Sequence, residues 1–114
     1  HKQWYFGKSL DGFTPIGPCI VTADAFADYP PRLGIRSFVN GEKRQDSNTA
    51  LQIFDIDHVI AELSQGMTLK AGTIIATGTP AGVGMGMDPP QFLKPGDVVR
   101  CEIEGIGTLT NPVK

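Results

Sequence analysis

Lys8, Thr77, Thr79 and the glycines around them are the residues of this chain whose types and spacing can do chemistry. The segment Thr77-Gly78-Thr79-Pro80-Ala81-Gly82-Val83-Gly84 follows directly on a strand-like run, Gly72-Thr73-Ile74-Ile75-Ala76. Such a loop can deliver backbone N–H groups and hydroxyls to an anion at the end of a sheet. Gly78 lacks a Cβ, so a ligand can approach the backbone there, and the Thr79 hydroxyl can donate to a substrate oxygen. The plainer reading of the same residues is a strand-ending turn. Lys8, within Gly7-Lys8-Ser9-Leu10-Asp11-Gly12, offers an ammonium that a loop can aim at a carboxylate or enolate oxygen. A lone lysine is otherwise a solvated surface residue. Asp11 either orients Lys8 or makes an Asx turn with Gly12.

Several more familiar motifs fail on spacing. Gly7-Lys8-Ser9 ends like a Walker A loop, but Lys2 stands where that motif needs its first glycine. Gly82-x-Gly84 lacks the third glycine of a dinucleotide fingerprint, since that position is Met87. No G-x-S-x-G surrounds a serine, so a serine-hydrolase triad has no anchor. His1 and His58 do not form a catalytic pair; His58 falls in the first turn of a predicted helix, where a surface or capping role is expected.

The elements that must position Lys8 and Thr79 are short. Glycine and proline (14 and 9 of 114 residues) are spread as punctuation, which favours strands over long helices. Cys19-Ile20-Val21-Thr22 is a short β-like run. Arg32 to Val39 has Leu33, Ile35 and Val39 in a period-two pattern, and Asn40-Gly41 predicts a type I′ hairpin into Glu42-Lys43-Arg44-Gln45. The one expected helix runs from Asp57 to about Gln65, with Val59, Ile60 and Leu63 as its apolar stripe, Asp55 or Asp57 as cap and Gly66 as terminator. Leu69-Lys70-Ala71-Gly72-Thr73 and Leu93-Lys94-Pro95-Gly96-Asp97 echo each other as turns feeding strands.

A chain of 114 residues that is 40% hydrophobic and 19% charged fits one modest core, as one domain or a piece of a larger one. A net charge of −2 without blocks of like charge gives no footprint for nucleic acid or an anionic membrane. No apolar run reaches the length of a membrane span, and the start does not read as a signal peptide, so a cytoplasmic protein is expected. His1 opens the chain without a methionine and leads straight into aromatic residues, as an interior position of a longer polypeptide would. Cys19 and Cys101 read as small core residues of a reducing compartment rather than as a disulfide.

Taken together, G-K-S-L-D-G at residues 7–12, V-N-G-E-K-R-Q at 39–45, T-G-T-P-A-G-V-G at 77–84 and L-K-P-G-D at 93–97 resemble the C-terminal half of the catalytic domain of the fumarylacetoacetate hydrolase family. The resemblance spans about Gln3 to Val113. It implies a mainly β fold with few helices, a mixed β-sandwich or β-roll of which residues 1–114 are a partial domain. It implies Lys8 and Thr79 as catalytic residues, with Thr77, Gly78 and Gln45 at the substrate; Gln45 and Asn48 border either substrate or a subunit contact. It further implies an Mg²⁺- or Mn²⁺-dependent enzyme, expected as a homodimer, that hydrolyses C–C bonds of acylpyruvates and related 2-oxo acids. The alternatives within the family are isomerisation of hydroxymuconate-type diacids or decarboxylation of oxaloacetate-like acids. In all of these, a divalent ion bound to the 2-oxo-carboxylate stabilises an enolate while lysine and threonine hold its remaining oxygens.

The family's E-x-E metal pair precedes its G-K-S segment, so the metal ligands are expected upstream of His1 and tight metal binding is not expected within these residues. Glu102-Ile103-Glu104 lies in the wrong place for that pair and reads as a solvated strand face, with Glu102 as a candidate to assist a water molecule. A rival of another class is a non-catalytic module that binds a small acid or serves as an oligomer interface.

Overall fold

The computed structural model describes residues 3–114. Its centre is one antiparallel sheet in the order β2-β1-β3-β4, formed by β1 (Gly34–Val39), β2 (Glu42–Asn48), β3 (Val98–Ile103) and β4 (Gly107–Pro112). The fold is therefore mainly β with few helices, as expected. The β1–β2 hairpin turns at Asn40 (φ 51°) and Gly41 (φ 85°), the pair of left-handed conformations that a type I′ turn requires. From the turn the register runs Val39 to Glu42 and Phe38 to Lys43, then jumps so that Ser37 faces Gln45. Arg44 is the extra residue of this β-bulge.

Alternation along the strands gives the sheet two unlike faces. Arg36, Phe38, Asp46, Arg100 and Glu102 share one face. There Arg36 and Lys43 pair with Asp46, Arg100 pairs with Glu102, and the Arg100 guanidinium lies 4.2 Å from the centre of the Phe38 ring. The hydrogen bond from Lys43, helped by Arg36, holds the Asp46 carboxyl below its usual pKa. The opposite face carries Ile35, Ser37, Val39, Val99, Cys101, Ile103 and Leu109, and this is the face that the functional loop overlies.

Outside the sheet the helices are short. The expected one is present as α2 (Ile56–Ser64), capped by Asp55, whose carboxylate accepts from His58 N at 2.7 Å. Its chain ends with Gly66 N and Met67 N both bonded to Leu63 O. A five-residue helix that the sequence reading missed, α1 (Trp4–Lys8), is capped by the Gln3 side chain bonding Tyr5 N. Lys8 is thus the last residue of a helix rather than part of a loop.

Two expected strands are absent. Cys19–Thr22 and Gly72–Ala76 form no ladder, although the second is preceded by the expected turn, with Thr73 N bonded to Lys70 O and Gly72 at φ 84°. Its echo, with Asp97 N bonded to Lys94 O and Gly96 at φ 94°, does feed a paired strand, β3. A β-like composition makes a strand only where a partner edge stands beside it.

The modest core expected from composition is also absent: no apolar side chain is fully buried among the described residues. Ile53, Ile20 and Tyr5 are 92%, 84% and 81% exposed, and both cysteines are free and exposed rather than internal. Among the described residues one four-stranded sheet has no second layer of strands or helices on its apolar face, and such a sheet does not close a core.

Candidate functional site

The loop that carries Thr77, Gly78 and Thr79 is fastened to β2 by one side chain. Gln45 Nε2 donates to Thr79 Oγ1 at 2.8 Å and to Pro80 O at 2.9 Å. Its Oε1 in turn accepts from Ser37 Oγ at 2.8 Å, across the β1–β2 ladder. Ser37 and Gln45 are half-buried, while Thr77, Gly78 and Thr79 are exposed and open to a ligand. Gly78 has φ 107° with nothing within 4 Å of an added Cβ, so its glycine serves backbone conformation.

Gly82 shares that left-handed conformation (φ 103°), and both it and Gly84 are also held against a neighbour. A Cβ at Gly82 would collide with the carbonyl of Arg44, and one at Gly84 with the carbonyl of Gln91. Gly84 O also accepts from Gln91 N at 2.9 Å. The second half of the glycine-rich motif therefore lets the loop lie against the bulge of β2 and against the returning chain at Gln91.

Arg44 completes that attachment. The bulge turns its half-buried side chain under the loop, where Nη1 meets Gln91 Oε1 and lies 3.1 Å from Met87 Sδ. Nη2 pairs with Glu42 at 3.3 Å, and Nε is buried without a partner among the described residues. Between the loop and the sheet face is a cleft of about 660 Å³, whose lining includes Ser37, Val39, Gln45, Val83, Met87 and Leu93. Its size suits a small molecule.

The other candidate residues are placed as follows. Lys8 is exposed at the end of α1, its carbonyl accepting from Thr14 Oγ1. Among the described residues no hydrogen bond or ion pair joins Lys8 to Asp11 or to the Thr77–Thr79 loop; Asp11-Gly12 instead forms a turn closed by Phe13 N to Leu10 O. Asn48 caps the single turn Thr49–Leu51 through Ala50 N at 2.9 Å. His58 stacks on Phe54 with ring centres 4.7 Å apart, and His1 lies outside the described residues. Glu104 is not a merely solvated carboxylate: its Oε2 accepts from Gly34 N at 3.0 Å. Glu102 sits half-buried beside Arg100.

Ser37 and Arg44 are the site residues that sequence reasoning missed. Counting back from the Asn40-Gly41 turn places Arg44 opposite Ser37, and only the bulge brings Gln45 there instead. No group of three or more His, Cys, Asp or Glu residues suited to a metal ion occurs among the described residues. Glu102 and Glu104 each have another partner, so the residues present do not make a divalent-metal site.

A loop of hydroxyls and glycines pinned over one face of this four-stranded sheet defines a class, and the match is complete: residues 1–114 fit the family model described as fumarylacetoacetate (FAA) hydrolase C-terminal. The chain belongs to the fumarylacetoacetate hydrolase family. It is 51% identical over 112 residues to a mitochondrial oxaloacetate tautomerase of Xenopus laevis, covering 98% of this chain and 35% of that protein. An oxaloacetate tautomerase of Bacillus subtilis is 50% identical over 113 residues, 99% of this chain and 37% of its own. The chain thus spans about a third of the length of these curated relatives.

Solved structures agree. A fumarylacetoacetate hydrolase from Exiguobacterium antarcticum superposes with a TM-score of 0.91 at 55% identity, covering 98% of this chain and 40% of that one. A 2-hydroxyhepta-2,4-diene-1,7-dioate isomerase from Mycobacterium marinum gives 0.81 at 46%, covering 97% and 40%. A maleylpyruvate hydrolase from Sphingobium sp. SYK-6, in complex with manganese(II) and pyruvate, gives 0.82 at 44%, covering 95% and 38%. Among the described residues no helix is long and apolar enough to cross a membrane.

Proposed function

We propose that the protein to which these residues belong is an isomerase of 2-oxo diacids that interconverts the keto and enol forms of oxaloacetate or a close analogue. The observation that carries this reading is the identity of 50–51%, along nearly the whole chain, to two oxaloacetate tautomerases. It favours the isomerase alternative over C–C bond hydrolysis.

The chemistry fits the loop. Tautomerisation moves a proton between C3 and the oxygen on C2 through an enolate, and the developing negative oxygen needs a donor held in place before the reaction. Thr79, exposed on a loop held by Gln45 and seated on the bulge at Gly82, supplies one. The Lys8 ammonium supplies a second if α1 is brought to the same ligand. A divalent ion, if the full-length enzyme uses one, would be held by residues other than those described, and its part would be to neutralise the 2-oxo-carboxylate.

Hydrolysis of an acylpyruvate also expels an enolate, so the same donors serve both reactions. The 55% identity to a fumarylacetoacetate hydrolase keeps that as the second reading. Full-length enzyme with added Mg²⁺ or Mn²⁺ should accelerate loss of the ultraviolet absorbance of enol-oxaloacetate, with a kcat/KM well above that for acylpyruvate cleavage. The reverse ranking would establish the hydrolase.

A further inference from the structure

We propose that Ser37 and Gln45 are positioning residues that fix which way the Thr79 hydroxyl points its hydrogen. This rests on the reading of Thr79 as a donor to the substrate and extends it inward to the sheet. The Gln45 amide can adopt only one orientation here. Pro80 O, 2.9 Å from one end of it, can only accept, so that end must be the NH₂ group. Its second N–H then points to Thr79 Oγ1 at 2.8 Å, and Oε1 faces Ser37 Oγ at 2.8 Å. Thr79 Oγ1 therefore receives a hydrogen from the protein side, and its own hydrogen is directed away from Gln45, toward the open side of the loop. A carboxylate at position 45 would reverse this: it would draw the Thr79 hydrogen inward and leave a lone pair facing an anionic substrate.

Ser37 has the supporting part. It is the residue that the bulge places opposite Gln45, and its hydroxyl anchors the far end of the amide. Ser37 itself reaches no ligand in this arrangement; it acts through Gln45 on Thr79.

The test is steady-state kinetics of the full-length enzyme on oxaloacetate, or on acylpyruvate if that proves the substrate, for Ser37→Ala, Ser37→Thr, Gln45→Glu, Thr79→Val and the double variant Ser37→Ala/Thr79→Val. Thr79→Val should lower kcat about 10²-fold. Ser37→Ala should lower it about tenfold with little change in KM, and Ser37→Thr should restore it. The double variant should be no slower than Thr79→Val alone, because the two residues act in series. Gln45→Glu should be inactive when ionised and recover as pH falls and the carboxyl becomes a donor. Parental kcat in Ser37→Ala, multiplicative losses in the double variant, or a Gln45→Glu pH profile parallel to the parent would each overturn the proposal while leaving Thr79 in the site. A parental rate for Thr79→Val would overturn the site as well.

Discussion

Asn40 and Asp97, 57 residues apart, lock the hairpin turn to the start of β3: Asn40 Nδ2 donates to Asp97 Oδ1 at 2.9 Å. Asn40 also exchanges hydrogen bonds with Val98, its N donating to Val98 O and its Oδ1 accepting from Val98 N, each at 2.9 Å. Asp97 adds Lys94 N at 2.8 Å, and its own carbonyl accepts from Val113 N. The β1–β2 turn, the start of β3 and the end of β4 are therefore tied at a single point. Asn40→Ala removes the two side-chain bonds, to Asp97 Oδ1 and from Val98 N, and forces alanine to φ 51°, so the full-length protein should lose about 1–3 kcal/mol in chemical denaturation. Asn40→Gly, which keeps the turn, should lose less, and equal losses would assign the effect to the side-chain hydrogen bonds alone.

The same contact makes a statement about acid. The Asn40 hydrogen bond first, then that from Lys94 N, holds the Asp97 carboxyl below its ordinary pKa of 3.8. Ionised Asp97 therefore favours the folded state; that stabilisation is complete above the ordinary value and disappears as pH falls through the lower folded one. Asp97→Asn should be less stable at neutral pH and should show a shallower decline below about pH 4. A parental acid limb in that variant would show that Asp97 does not contribute.

Gly82→Ala and Gly84→Ala should each abolish most activity, because the added methyl meets backbone carbonyls that cannot swing aside. Gly78→Ala, strained by φ 107° but free of contacts, should fold with the loop shifted less. Comparing kcat and melting temperature of the three variants in the full-length enzyme checks this order. Greater damage from Gly78→Ala than from Gly82→Ala would mean that ligand approach, not docking on β2, dominates the motif.

Lys8→Ala in the full-length enzyme should lower kcat about 10²–10³-fold, more than it raises KM, if its ammonium stabilises the enolate. Thr79→Ser should keep most of the activity that Thr79→Val loses. A Lys8→Ala enzyme working at the parental rate would leave Lys8 as a surface residue and Thr79 as the donor.

Glu104 offers a structural control. Glu104→Gln keeps a carbonyl oxygen for Gly34 N and should change stability by less than about 0.5 kcal/mol, whereas Glu104→Ala leaves a half-covered N–H unpaired and should cost about 1–2 kcal/mol. Equal effects in a urea melt would show that the charge, not the hydrogen bond, matters.

What could be read from the sequence was local. Asn40-Gly41 dictates its own turn, Asp55 its own cap, and the Lys94-Pro95-Gly96-Asp97 turn its own corner, because each depends on residues within a few positions. Gly72–Ala76 and Cys19–Thr22 have the composition of strands, yet pairing is a property of the neighbour, and none stands beside them among the described residues. Thr79 was a candidate from its own loop chemistry, Gln45 by resemblance alone. That they touch each other, with Ser37 behind them, depends on a bulge that no alternation of apolar residues announces.

The bulge also sets the limits of length variation in this protein. Deleting residue 44 would leave Gln45 opposite Ser37 in an unbroken ladder, yet it would take away the carbonyl against which Gly82 rests and the guanidinium that holds Met87 and Gln91. Inserting a residue between Gly41 and Arg44 would bring a different side chain to Ser37. The stretch from Ser37 to Gln45 thus acts as a ruler with one tolerated length. The irregular chain from Leu51 to Ala76, which carries α2 and meets no such count, is where gains and losses of residues can accumulate without moving Thr79.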